Sequence, residues 1–134
     1  MPVFENTEQL HAVARRMLQR VQTENPRATH ALYGSRLLIR LRTKNPAVQI
    51  WLDARRRPLS TTFGPARMHP HLDIDLGADT LHRILLGELS LLQALGKGEL
   101  QVRGPAWKMG SLAELFHYGQ EVYPQVLREH GLVE

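Results

Sequence analysis

No cysteine occurs among the 134 residues. That absence excludes a disulfide scaffold, a thiolate zinc site, an iron–sulfur centre and a cysteine nucleophile together, and it fits a reducing compartment, so a cytoplasmic protein is expected. Aromatic residues are few, with three Phe, three Tyr and two Trp, too sparse to interleave with basic residues as a stacking platform for single-stranded nucleic acid. Lysine is scarce too, arginine supplying 14 of the 17 basic residues. No apolar run approaches the length of a bilayer span, and the opening MPVFENTEQL lacks the basic start and apolar stretch of a secretory leader. What is present has an ordinary globular balance, 43% hydrophobic and 22% charged. It predicts one domain over residues 1–134, long enough to bury a core without disulfide or metal.

Charge is spread unevenly along the chain. Residues 1–68 carry 12 basic and 4 acidic side chains, and residues 69–134 carry 5 and 9. Arg36, Arg40 and Arg42 make a basic stripe supplemented by Arg55, Arg56, Arg57 and Arg67. Such a field draws a protein toward an anionic surface, while its commoner role is a mixed, solvated exterior.

Hydrophobic periodicity divides the chain. Asn6 with Gln9 three residues on makes a helix start, and Leu10, Val13, Ala14, Met17, Leu18 and Val21 then recur at helical spacing until Asn25-Pro26. From Ser35 the period becomes two. Leu37, Ile39 and Leu41 predict one strand, and Val48, Ile50 and Leu52, alternating with Gln49, Trp51 and Asp53, predict a second beyond the Asn45-Pro46 turn. Leu59 to Phe63 and His71 to Leu76 read as the third and fourth strands. Asp79 or Thr80 begins a short helix ending at Gly87, Ser90 with Gln93 begins another ending at Gly96, and Glu99 to Arg103 is a fifth strand. Trp107, Leu112, Leu115 and Phe116 suggest a further helix, with Pro124 starting the last one through Arg128. Strands in a consecutive meander with helices before and after predict an α+β fold, helices covering one face of a five-stranded, largely antiparallel sheet.

Residues 75–104, DLGADTLHRILLGELSLLQALGKGELQVRG, carry a more particular pattern. A helix ends in Gly87-Glu88-Leu89, a second short helix contains the small Ala94, and the strand reads Gly98-Glu99-Leu100-Gln101-Val102-Arg103-Gly104. This resembles the sterol carrier protein 2 family, more loosely over about residues 31–118, with Pro105 standing where many members have an acidic residue. The resemblance implies helices and a five-stranded sheet enclosing an apolar cavity or tunnel. It also implies non-catalytic binding and transfer of a hydrophobic lipid: a fatty acid, phospholipid, isoprenoid or sterol-like molecule. No cofactor is implied, and transient contact with an anionic membrane fits the basic half. The alternative is an accessory or scaffold module, its cavity filled, that binds a protein partner. Oligomeric state is open on this reading.

Lipid contact is then expected at Leu37, Ile39, Leu41, Ile50, Leu52, Ile74, Leu100 and Val102 on the strands, with Met109, Leu112, Leu115 and Phe116 covering or gating the interior. His69, His71, Asp73 and Asp75 alternate on one strand face as formal metal ligands, yet no HExxH helix accompanies them, and a solvated polar face is the expectation. No nucleophile elbow is visible, so no catalytic residue is expected.

Overall fold

Asn6 starts the first helix as its spacing predicts: its side-chain oxygen accepts the Gln9 amide at 2.8 Å, and the Gln9 side chain accepts the Glu5 amide in return. The computed structural model describes residues 3–132. Helix α1 (Thr7–Glu24) leads into a 3-10 turn (Pro26–Thr29) and α2 (His30–Ser35). Strands β1 (Leu38–Lys44), β2 (Val48–Asp53), β3 (Ser60–Phe63) and β4 (Leu72–Gly77) come next, then α3 (Ala78–Leu85) and α4 (Leu91–Gly96). β5 (Leu100–Arg103), a 3-10 stretch (Ala106–Leu112) and α5 (Ala113–Glu129) complete the order. The fold is α+β, a five-stranded open mixed sheet with helices.

The sheet order is β3-β2-β1-β4-β5. Three of the neighbouring pairs are antiparallel and β1 runs parallel to β4, so the sheet is largely antiparallel but not the consecutive meander expected. After Phe63 the chain returns past β2 and β1 to begin β4 on the far side of β1. Side-chain pairing favours that placement. In this register Arg40 stands opposite Asp73 and Arg42 opposite Asp75, a match that a fourth strand beside β3 would forfeit.

Several local expectations change with tertiary context. The segment from Pro26 to Ser35, without a strong period, forms two short helical turns that bury Ala28, Thr29 and Leu32. Helix α3 begins at Ala78, directly after β4, rather than behind an Asp79 or Thr80 cap. Asp79 lies in its first turn and accepts the Val3 amide at 3.2 Å. Pro124 starts no helix. It sits inside α5, where it lacks the N–H that would donate to the carbonyl four residues back, a loss of about 3 kcal/mol in an exposed helix. Burial of Val122, Tyr123, Val126 and Leu127 around it offsets that loss and keeps the helix continuous.

Gly104 shows why the family-like strand ends as it does. Its φ is +107°, and a Cβ there would lie 2.4 Å from the His71 carbonyl oxygen, so only glycine lets the chain leave β5 this close to the start of β4.

Candidate functional site

Alternation puts Ile39 and Leu41 of β1, Ile50 and Leu52 of β2, and Ile74 of β4 on one face, aligned in register as Ile39 with Leu52 and Leu41 with both Ile50 and Ile74. Across from them lies the apolar stripe of α1, packed against α5, with α3 beside it. The two layers do not quite fill the space between them. A void of about 50 Å³ remains, and its wall exposes no polar atom. Ala14 and Gly119 are the small residues in that wall. By this measure one water needs roughly 10–15 Å³, but with no hydrogen-bonding partner the space is suited to hydrocarbon rather than water.

Eight of the twelve expected positions line this void: Ile39, Leu41, Ile50, Leu52, Ile74, Leu112, Leu115 and Phe116. Four do not. Leu37 is buried just before β1, where its carbonyl accepts the Ala54 amide at the end of the sheet. Leu100 is buried and Val102 half-buried, but β5 is the edge strand beyond β4 and packs with α4, away from α1. Met109 is buried in a separate outer groove of about 400 Å³ between α4, the 3-10 stretch and the outer side of α5. The sequence reading missed the other half of the wall: Leu10, Val13, Ala14, Met17, Leu18 and Val21 of α1, joined by Leu81, Leu85 and Tyr123. The signal was present as a helical stripe, but a stripe that packs a core and one that bounds a gap have the same spacing.

One polar contact borders the void. Tyr123, 1% exposed, lines it with its ring and turns its hydroxyl to His82 Nδ1 at 2.7 Å. Burial lowers the His82 pKa and raises that of Tyr123, so both are neutral near pH 7. Phe4 meets the His82 ring edge-on at 6.2 Å.

The opposite face of the sheet carries the charges. Arg40 Nε donates to Asp73 Oδ1 at 2.9 Å, and a second nitrogen to Oδ2 completes a bidentate pair. Arg42 grips Asp75 in the same way at 2.8 and 2.9 Å, and Arg103 bridges both carboxylates at 3.0 and 3.1 Å. The expected basic stripe is therefore compensated at Arg40 and Arg42 by the acidic strand beside it. Asp53 takes up Arg55 in a further pair, and Arg57 stacks over Tyr33 at 4.6 Å. Trp51, expected on the solvent side, does lie on this face yet is 1% exposed: Arg40 lies 5.1 Å over its ring, and its Nε1 donates to the Gly64 carbonyl. Of the alternating His and Asp residues, Asp73 and Asp75 are spent in these pairs and His71 Nδ1 accepts the Leu38 amide at 2.9 Å, while His69 is exposed and lies before β4 rather than on its face. Among the described residues no cluster of three His, Cys, Asp or Glu is arranged to hold a metal, and no helix is long and apolar enough to cross a membrane.

No protein-family model matches the sequence, and no curated protein is similar to it in sequence. The fold does match solved structures. Sterol carrier protein 2 from Yarrowia lipolytica superposes with a TM-score of 0.62 at 14% identity, over 78% of this chain and 88% of that one. The palmitated sterol carrier protein 2-like 2 from Aedes aegypti gives 0.60 at 21% identity, over 79% and 92%. The ubiquinone synthesis protein UbiJ gives 0.62 at 17% identity, over 90% and 97%. The chain has the sterol carrier protein 2 fold.

Proposed function

We propose that this chain, acting as one unit over residues 1–134, binds the apolar part of a lipid between α1, α5 and the inner face of the sheet, and carries it without chemical conversion in the cytoplasm. The observation behind this reading is the void between those layers, walled wholly by apolar atoms and lined by Ile39, Leu41, Ile50, Leu52, Ile74, Leu112, Leu115 and Phe116. The Aedes aegypti structure with this fold is palmitated, which supports a fatty acyl chain as the ligand class. Isoprenoid, phospholipid and sterol-like ligands present the same hydrocarbon surface.

Partition drives such binding. Burial contributes roughly 0.8 kcal/mol per methylene, so about 15 methylenes leaving water contribute on the order of 12 kcal/mol. A void of about 50 Å³ cannot hold that much chain. The helical layer has to move away from the sheet, exchanging contacts between wall residues for contacts with the tail and exposing little new apolar surface to water.

The smallness of the void favours one other reading, an accessory module whose filled interior serves only stability and whose surface binds a protein partner. The similarity to UbiJ, a ubiquinone synthesis protein, is compatible with either. Native mass spectrometry of the purified protein separates them. Carriage predicts a lipid adduct, removable by organic extraction and replaceable by a fluorescent fatty acid. A protein that purifies lipid-free, takes up no fatty acid and is recovered in a defined complex with another chain supports the scaffold. Leu112→Trp, which fills the wall, is expected to reduce uptake at an overpacking cost of about 1–3 kcal/mol, so its melting curve is compared alongside.

A further inference from the structure

The void and the outer groove have one wall residue in common among the described residues. Phe116, in the first turns of α5, borders the void on one side and the groove on the other. The same groove is lined by the buried Met109 and by Trp107 and Leu92, which are 81% and 74% exposed. Two large apolar side chains in water beside a groove are the kind of patch that marks a contact with an apolar partner. The polar side chains of the groove are engaged elsewhere or solvated. Gln120 Nε2 is tied to the Ile84 carbonyl at 3.0 Å, Ser90 is engaged in capping α4, and His117 faces solvent near Glu121.

Two of the elements framing this groove are short or irregular. Helix α4 has six residues, and Ala106–Leu112 is a 3-10 stretch, whose hydrogen-bond geometry is poorer than that of an α-helix. Gly110, within that stretch, has open space where a side chain would be. A segment of this kind opens at lower free energy than the sheet and the long helices behind it.

We propose that the outer groove is the portal through which a single unbranched acyl chain reaches the interior, with the Phe116 ring as its door. The tail lies along Trp107 and Leu92, Phe116 swings aside, and the tail passes between α5 and the sheet while its polar end stays in water. This inference rests on the lipid-binding reading and adds a route and a residue to it. A door sets rates more than affinity, because bound and free states both have it closed.

Stopped-flow fluorescence with cis-parinaric acid tests it. Phe116→Ala is expected to speed association by about tenfold and dissociation by more, since the tail also loses a wall contact, whereas a wall contact without a door would change dissociation and leave association as in the wild type; Trp107→Ala is expected to slow association by about threefold. Ala14→Leu, which narrows the void from α1, is expected to lower affinity without faster exchange. Phe116→Leu keeps an apolar side chain of intermediate size and serves if the alanine variant melts early. A wild-type association rate in Phe116→Ala or Phe116→Leu, together with lost binding in Ala14→Leu, overturns the door and leaves lipid binding standing. No uptake by wild type or any variant overturns both. Uptake by the Phe116 variants alone shows a door closed in the wild type. Equal quenching of Trp107 in Ala14→Leu and wild type overturns the portal, since the chain then stops in the groove, as a bound peptide would.

Discussion

On the inner face of the sheet, Ile39, Leu41, Ile50, Leu52 and Ile74 meet apolar neighbours and leave a gap; one residue along on the same strands, Arg40, Arg42, Asp73 and Asp75 meet one another in bidentate pairs. Apolar attraction has no direction, so the inner face tolerates imperfect filling and can admit a foreign hydrocarbon. Guanidinium–carboxylate pairs are directional, so the outer face fixes how β4 lies against β1. A one-residue slip would turn every side chain to the wrong face. A two-residue slip would preserve the apolar face but set Arg42 opposite Gly77 and lose a pair. Register and cavity thus have separate determinants within one sheet.

Substitutions on each face sharpen that comparison. The largest effect is expected from Ile74→Ala, because Ile74 is fully buried and its loss widens an existing gap: about 3 kcal/mol by chemical denaturation. Asp73→Ala on the outer face should cost about 2 kcal/mol, since its carboxylate is 8% exposed and holds both Arg40 and Arg103, whereas the arginines left behind retain some access to water. Should Asp73→Ala prove neutral, the outer lattice would be decoration on a sheet held by its apolar face alone.

Gly119→Ala separates stability from binding. A methyl there would lie 3.7 Å from Leu85 Cδ2 and Met17 Sδ, an ordinary contact, and alanine favours the helix by roughly 0.5–1 kcal/mol. The variant is expected to melt higher and take up less fatty acid; a rise in both would mean that the tail does not occupy this part of the void.

The His82–Tyr123 pair supplies a smaller test at the edge of the inner face. Burial holds the His82 pKa below its ordinary 6.5, so between that value and the lower folded-state value the unfolded chain binds the proton more readily. Stability is therefore full above about pH 6.5 and declines as pH falls through that window, a slope that His82→Gln should flatten in thermal melts from about pH 7.5 to pH 5. The smallest effect belongs to Arg103→Ala. Its side chain is 63% exposed, and despite contacts to two carboxylates its removal should cost less than about 0.5 kcal/mol.

Local chemistry made much of this protein legible in its sequence. The Asn6 and Ser90 caps, the alternation of β1, β2 and β4 and the glycine leaving β5 lie within a few residues of the features they produce. Five wall positions, Ile39, Leu41, Ile50, Leu52 and Ile74, followed from that alternation, because a strand's inner face is a local property. Tertiary structure decided the rest. β4 lies beside β1 because arginines and aspartates more than thirty residues apart pair there; Trp51 is buried because Arg40 covers it; Pro124 stays inside α5 because the surrounding side chains hold the helix together. The void belongs to this second class. Periodicity says which side chains point inward, but whether two inward faces fill the space between them depends on the shapes of residues from seven separate elements meeting at one place.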